Sequence, residues 1–195
     1  MDVIDAIYSR RSVRAYGDQP VDKATVEALL KAATHAPSSM NEQPWAFVVV
    51  QDPQQLTRYS ERVKAFVLKR LKPDSPLTTY RDLLASPDYH VFHHAGTLII
   101  ICARPGAHNG EEDCSLAAQN LMLAAHGMGL GTCPIGFTRP WLNLAGSKRE
   151  LGIPSTYQAV FPLIVGYPKG ETAAVARKEP EILLWQSGGK ASGSP

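Results

Sequence analysis

Residues Thr34–Trp45 read THAPSSMNEQPW and run straight into Ala46–Val50, AFVVV. Before them, Val26, Leu29, Leu30 and Ala33 recur at helical spacing, and Asp22 is placed to cap the start of that helix. After them comes a short, continuous, valine-rich run, the pattern of a buried strand. The stretch is therefore a junction from helix to strand. Pro37 and Pro44 hold Ser38, Ser39, Met40, Asn41 and Gln43 between them. Serine and asparagine both donate and accept hydrogen bonds, so they suit the polar edge of a heterocycle. They equally suit a helix-ending turn in which hydroxyls bond the local backbone, and alone that is the simpler reading. The context lacks the GxSxG elbow of a serine nucleophile.

Working outward, Asp2 is a plausible cap for a short helix over residues 2–9, with Val3 and Ile7 on one face. Leu56, Tyr59, Val63 and Phe66 recur at helical spacing. Residues 72–90 carry several prolines and read as loop and short helix, able to close as a lid, with aromatic side chains of the 59–92 region as a substrate wall. Thr97–Ala103 is a second buried strand. Residues Glu112–His126, EDCSLAAQNLMLAAH, form a helix that is apolar nearly all round. Such a helix belongs either at the centre of a core or in a subunit interface. Pro140 opens a helix through about Leu151, stopped by Gly152. Ala159–Val165 is a third strand, and Pro162 inside it argues for an edge or a bulge. Helices and strands mix in one plan. Residues 1–186 read as a single domain, and SGGKASGSP, residues 187–195, as a flexible tail.

The totals exclude several classes. A chain of 195 residues, 44% hydrophobic and 19% charged, can bury a globular core. A net charge of +2 with no basic run argues against nucleic acid. No apolar run approaches the ~20 residues that span a bilayer, and the N-terminus does not read as a signal peptide. Cys102, Cys114 and Cys133 are odd in number and widely spaced, which predicts reduced thiols and a cytoplasmic setting.

Three further stretches could carry chemistry. In Arg10-Arg11-Ser12-Val13-Arg14, an extended backbone would place Arg10, Ser12 and Arg14 on one side. Two guanidiniums flanking a hydroxyl suit a phosphate, although a solvated basic turn is the plainer alternative. Gly127 to Gly136, GMGLGTCPIG, does not match GxGxxG and follows a helix instead of opening one, which counts against a Rossmann site. A glycine-rich loop still lets backbone N–H groups approach a flat ligand. His90, His93 and His94 lack matching cysteines or acids at metal spacing, so they read as surface or loop histidines, with no metal.

Taken together and in order, RRSVR, APSSMNEQPW, HAGTLIIICA, GLGTCPIG and FPLIVGYPKGE with Arg177 resemble the FMN-dependent nitroreductase family from about residue 2 to 184. The resemblance implies an α+β fold, a three-layer α/β/α sandwich, in an intertwined homodimer with FMN at the interface. It implies that Arg10, Ser12 and Arg14 hold the flavin from one subunit, with Arg11 touching it less directly. Pro37, Ser38, Ser39, Met40 and Asn41 would reach across from the other subunit. Pro134, Ile135 and Gly136 would lie beside the isoalloxazine near N5 and O4, and Arg177 on the phosphate. NAD(P)H would be the electron donor, a nitroaromatic, quinone or similar small molecule the acceptor, and no catalytic side chain would be demanded. Dehalogenation, ring oxidation or flavin breakdown is the alternative task. Many members carry a glutamate between the isoleucine and glycine of the flavin loop, whereas here Gly136 follows Ile135 directly. The asparagine and lysine of that branch are likewise missing from SPDYHVFHH.

Overall fold

Three aspartates start three helices. Asp2 Oδ1 accepts from the amides of Ile4 and Asp5, Asp22 from Thr25, and Asp52 from Gln54 and Gln55 with Pro53 in the first turn. Each such cap is worth about 1 kcal/mol. The computed structural model describes residues 1–72 and 74–187; apart from Ser187, the tail expected to be flexible lies outside the described residues. Helices α1 (Val3–Ser9) and α2 (Lys23–Thr34) lead to strand β1 (Trp45–Val50) and helix α3 (Pro53–Arg70). Short α4 (Arg81–Ala85), β2 (Thr97–Ala103) and long α5 (Gly110–Gly127) follow. Then come β3 (Gly131–Pro134), α6 (Arg139–Leu142), α7 (Ala145–Glu150) and β4 (Gln158–Gly166).

The four strands form one antiparallel sheet in the order β1-β2-β4-β3. All of β2 is buried, because helices cover both faces. Its side chains alternate between two cores. Leu98, Ile100 and Cys102 meet α3, α6 and the loop around Phe92, while Ile99, Ile101 and Ala103 meet α2 and α5. This period of two is the strand's own geometry, and it produces the expected three-layer α/β/α sandwich.

Pro162 and the segment after Pro140 bear directly on the expectations. Pro162 sits in β4, which is internal in the sheet. Its carbonyl accepts from Ile135 N at 2.9 Å, so its ring nitrogen faces the side where β3 has already ended at Pro134. The missing donor therefore breaks no ladder. A register shift between Ile101 and Cys102 puts the expected bulge close by. The helix expected from Pro140 to Leu151 is two, α6 and α7. Asn143 ends the first by turning its side chain onto Ala159, accepting from its amide and donating to its carbonyl.

Helix α5 buries one stripe, Cys114, Ala117, Ala118, Leu121, Met122 and Ala125, and leaves Leu116 exposed on the other side. Among the described residues no helix is long and apolar enough to cross a membrane. All three cysteines are free and buried.

Candidate functional site

The RRSVR stretch does run extended after α1. Val13 N donates to Thr132 O at 2.9 Å, and Ser12 bridges Thr132 in parallel. Tyr16 OH donates to Val13 O at 2.7 Å, and Gly17 N and Lys169 N tie the segment to the chain after β4. Val13 is buried and Arg14 exposed, the alternation that the spacing predicts. Gly131 makes this close approach possible, since a Cβ there would lie 2.7 Å from Val13 Cβ. A side chain at 131 would thus push the whole basic segment off the sheet.

Two cavities open along that segment. The first, about 490 Å³, is lined by Arg14, Cys133, Pro134, Ile135 and Phe137 on the sheet side. Tyr80, Leu83, Leu84 and Tyr89 close it from the 72–90 region expected to form a lid, with Val67 of α3 and His93 beside them. The second, about 300 Å³, lies at the C-terminal end of α5 and takes in Arg10, Arg11, Val13, His126 and Thr132. Ser12 lies between Val13 and Arg11 in the chain, so the two cavities share one strip of backbone. Gly136 follows the first cavity's Ile135 in a 3-10 turn.

The electrostatics of the strip are one-sided. Arg10 Nη1 and Arg11 Nε are buried without a hydrogen-bond partner among the described residues. None of Arg10, Arg11, Arg14 and Arg177 is ion-paired there. Burial, then the charges of Arg177 and Arg11, pull the Arg10 pKa down. Arg177 is therefore brought close to Arg10 across 167 residues of sequence. Like charges gathered without an acid favour a bound anion. Arg11 is partly committed elsewhere, since its Nη1 donates to the carbonyls of Tyr8 and Arg10 at the end of α1. In the first cavity, burial pushes the Tyr89 hydroxyl and the Cys133 thiol up, and burial with Arg14 holds His93 down, so all three stay neutral near pH 7.

Pro37, Ser38, Ser39, Met40 and Asn41 line neither of these cavities. They dock at the other end of α5, where Ser39 N donates to Asp113 Oδ1 at 3.1 Å. From Asp113 to His126 the helix rises roughly 20 Å. The loop is strained: Met40, Asn41 and Gln43 hold φ values of 51, 56 and 47°. Among the described residues the other non-glycine residues with positive φ are His93, which lines the first cavity, and its neighbour His94. Backbone of this kind is concentrated at functional sites.

Residues 7–167 match the profile of the nitroreductase family over most of the chain. The chain belongs to this family. A protein of Archaeoglobus fulgidus with the provisional name NADH dehydrogenase/NAD(P)H nitroreductase is 32% identical over 175 residues, 87% of each chain. A nitroreductase of Bacteroides fragilis, solved with bound FMN, superposes with a TM-score of 0.76 at 28% identity, covering 93% of this chain and 95% of that one. An iodotyrosine deiodinase solved with FMN and 3-iodo-L-tyrosine superposes at 0.75 with 26% identity, covering 93% and 97%.

The structure brings Arg14, Pro134 and Ile135 to the first cavity and Arg10 and Arg11 to the second, and adds Phe137 and His126, which nothing in the sequence marked as candidates. His90 lies in a loop, one of the two settings expected, but not at the surface. It is buried, and its Nδ1 accepts the amide of Phe92 at 3.2 Å. It stacks on His94 at 4.4 Å.

Proposed function

We propose that the chain is an NAD(P)H-dependent FMN oxidoreductase, working as a homodimer in a ping-pong cycle on nitroaromatics, quinones or similar acceptors. The observation that carries this reading is the strip of arginines without counter-charges among the described residues. It runs from the orphaned Arg10 guanidinium, past Ser12, to an apolar cavity of about 490 Å³ beside Pro134 and Ile135. Those donors fit a flavin nucleotide. Arg10 and Arg177 would hold the phosphate as forked donors. Ser12 would meet the ribityl chain. Arg14 would place positive charge at the pyrimidine edge, where it favours the reduced, anionic ring. Backbone at Pro134, Ile135 and Gly136 would line the ring, with Val67, Leu83, Leu84 and Phe137 keeping water away. FMN held there would supply the redox chemistry, hydride transfer between the nicotinamide and the acceptor.

The two ends of α5 support the homodimer. In one chain the Ser38–Asn41 loop and the arginine strip are held apart, and a second copy would bring one chain's loop to the other's strip. Apolar surface supports it. Val3, Ile4, Ile7 and Tyr8 on α1 are exposed, as are Leu116 and Ile182, Leu183, Leu184 and Trp185. Patches of this kind mark interaction surfaces.

A visible spectrum followed by anaerobic NADPH and then NADH tests the reading. Bands at about 370 and 450 nm that bleach on addition are the expected result. A colourless protein that takes up no added FMN would sink it. Deiodination is the second reading, favoured by the FMN-bound deiodinase likeness and by the rim of Arg14, Tyr80, Tyr89 and His93, which suits a halogenated phenol. Iodide release from 3-iodo-L-tyrosine by the reduced protein separates the two.

A further inference from the structure

The cavity at the C-terminal end of α5 holds two groups that the proposed cofactor contacts leave unused. One is the Thr132 hydroxyl, 2% exposed and without a partner among the described residues. The other is His126, whose tautomer the hydrogen bonds fix. Ser9 Oγ donates its single hydrogen to Asp5 O at 2.5 Å. His126 Nε2 lies 2.7 Å from that same Oγ, so the ring must donate there. Nε2 carries the hydrogen, and Nδ1 is the basic atom that remains. The charged groups facing His126 are Arg10 and Arg11, and the Met1 residue also lines the cavity. No carboxylate side chain is among the lining residues, since Asp2 caps α1 and Asp5 meets Ser9 through its backbone.

We propose that His126 is a phosphate-binding residue of the cofactor site and takes up a proton from solvent as the phosphate enters. The proposal rests on the reading of Arg10 and Arg177 as the phosphate end of a flavin nucleotide site. Burial, then the charges of Arg10 and Arg11, hold His126 below its ordinary pKa, so the empty site keeps it neutral near pH 7. A dianion beside Arg10 reverses that field. It offsets the two guanidiniums and adds an attraction of its own, so the imidazolium becomes the favoured form. Ser9 holds the ring in place from the opposite nitrogen. FMN affinity then gains as pH falls toward 6, until the phosphate's own second proton, with a pKa of about 6, works against it. Riboflavin, which has no phosphate, gains nothing.

The test is a fluorescence titration of the full chain, freed of flavin, with FMN and with riboflavin at pH 6 and pH 8. His126→Gln keeps a donor where Nε2 stood but cannot charge, and His126→Asn serves as a second variant. Both are checked for folding by circular dichroism. The expected result at pH 6 is FMN binding about tenfold weaker in His126→Gln than in the wild type, the scale of one charge-assisted hydrogen bond. At pH 8 the two agree within about twofold, and riboflavin affinity is unchanged throughout. Calorimetry at pH 7 in buffers of different ionisation enthalpy shows proton uptake with FMN in the wild type only. Equal FMN affinity of wild type and variant at pH 6 overturns the proposal. An equal loss for riboflavin also overturns it, leaving His126 as a brace for α1. Failure of the wild type to bind either flavin removes the cofactor site and this inference together, whereas normal FMN binding indifferent to His126 removes only the inference.

Discussion

Arg10 is a residue that its own fold does not want. Its buried Nη1 has no partner among the described residues, and Arg11 and Arg177 stand near it. Removing a partly buried charge that sits among like charges relieves the folded chain. Arg10→Met is therefore expected to raise the melting temperature of the flavin-free protein while weakening FMN binding by about 10- to 100-fold, the range of a hydrogen bond to a charged group. A thermal melt beside an FMN titration checks both signs. Gly131 is the opposite case, a residue that the fold demands. Gly131→Ala drives a methyl group into Val13, and overpacking of this kind costs about 1–3 kcal/mol in urea unfolding. Adding Val13→Ala should return part of that loss, because the two changes share one contact. At this scale the sequence was readable wherever the cause was local. Asp2 and Asp22 announce themselves as caps within three residues of the amides that they accept. Arg10 and Arg14 could be paired by alternation along one extended stretch. His126 could not, because the field that defines it comes from Arg10, more than a hundred positions away.

The elements show where local reading stops. β2 is legible because seven buried residues in a row have no other use. β3 falls in the stretch whose sequence presents only a glycine-rich loop, and only the ladder offered by β4 makes Gly131–Pro134 a strand. The break between α6 and α7 is equally tertiary. Asn143 ends a helix by serving as the partner that Ala159 lacks, and nothing within its own segment says so. The loop before β2 carries a pH signature. Burial, then His94 and His93, depress the His90 pKa to about 4, and Ser60 Oγ and the ring's own Nδ1 fasten the surrounding backbone. The group is neutral when folded and takes a proton more readily when unfolded. Its contribution is therefore complete above an unfolded pKa of about 6.5 and is lost as pH falls from there to 4, by up to about 3 kcal/mol. Urea midpoints from pH 7 to 4 should fall along that curve in the wild type and less steeply in His90→Gln.

For the whole molecule, the mix of helices and strands could be read from the pattern of apolar runs and the α/β/α layering came only with the family resemblance; the strand order could not be read, because it depends on which strands meet across long connections. The exposed Ile182–Trp185 segment belongs to this scale. Leu183 is 90% exposed and Trp185 79%, an arrangement that a lone chain gains nothing from keeping. The wild type is expected to sediment at twice its 21.2 kDa mass. A chain ending at Lys178, which keeps Arg177, should dissociate at higher concentration in the same sedimentation run. Equal dissociation of the two would deny the segment a role in assembly.

The placement of the serine loop and the arginine strip at opposite ends of α5 has a genetic consequence. If each site borrows its loop from a neighbour, a chain damaged at Arg10 and a chain damaged at Ser39 are broken in different halves. Unfolded together and allowed to reassociate, two inactive populations would generate mixed pairs in which one site receives only undamaged parts. Random pairing would restore about a quarter of the sites. Two alleles, each without function alone, would then complement one another inside a single cell.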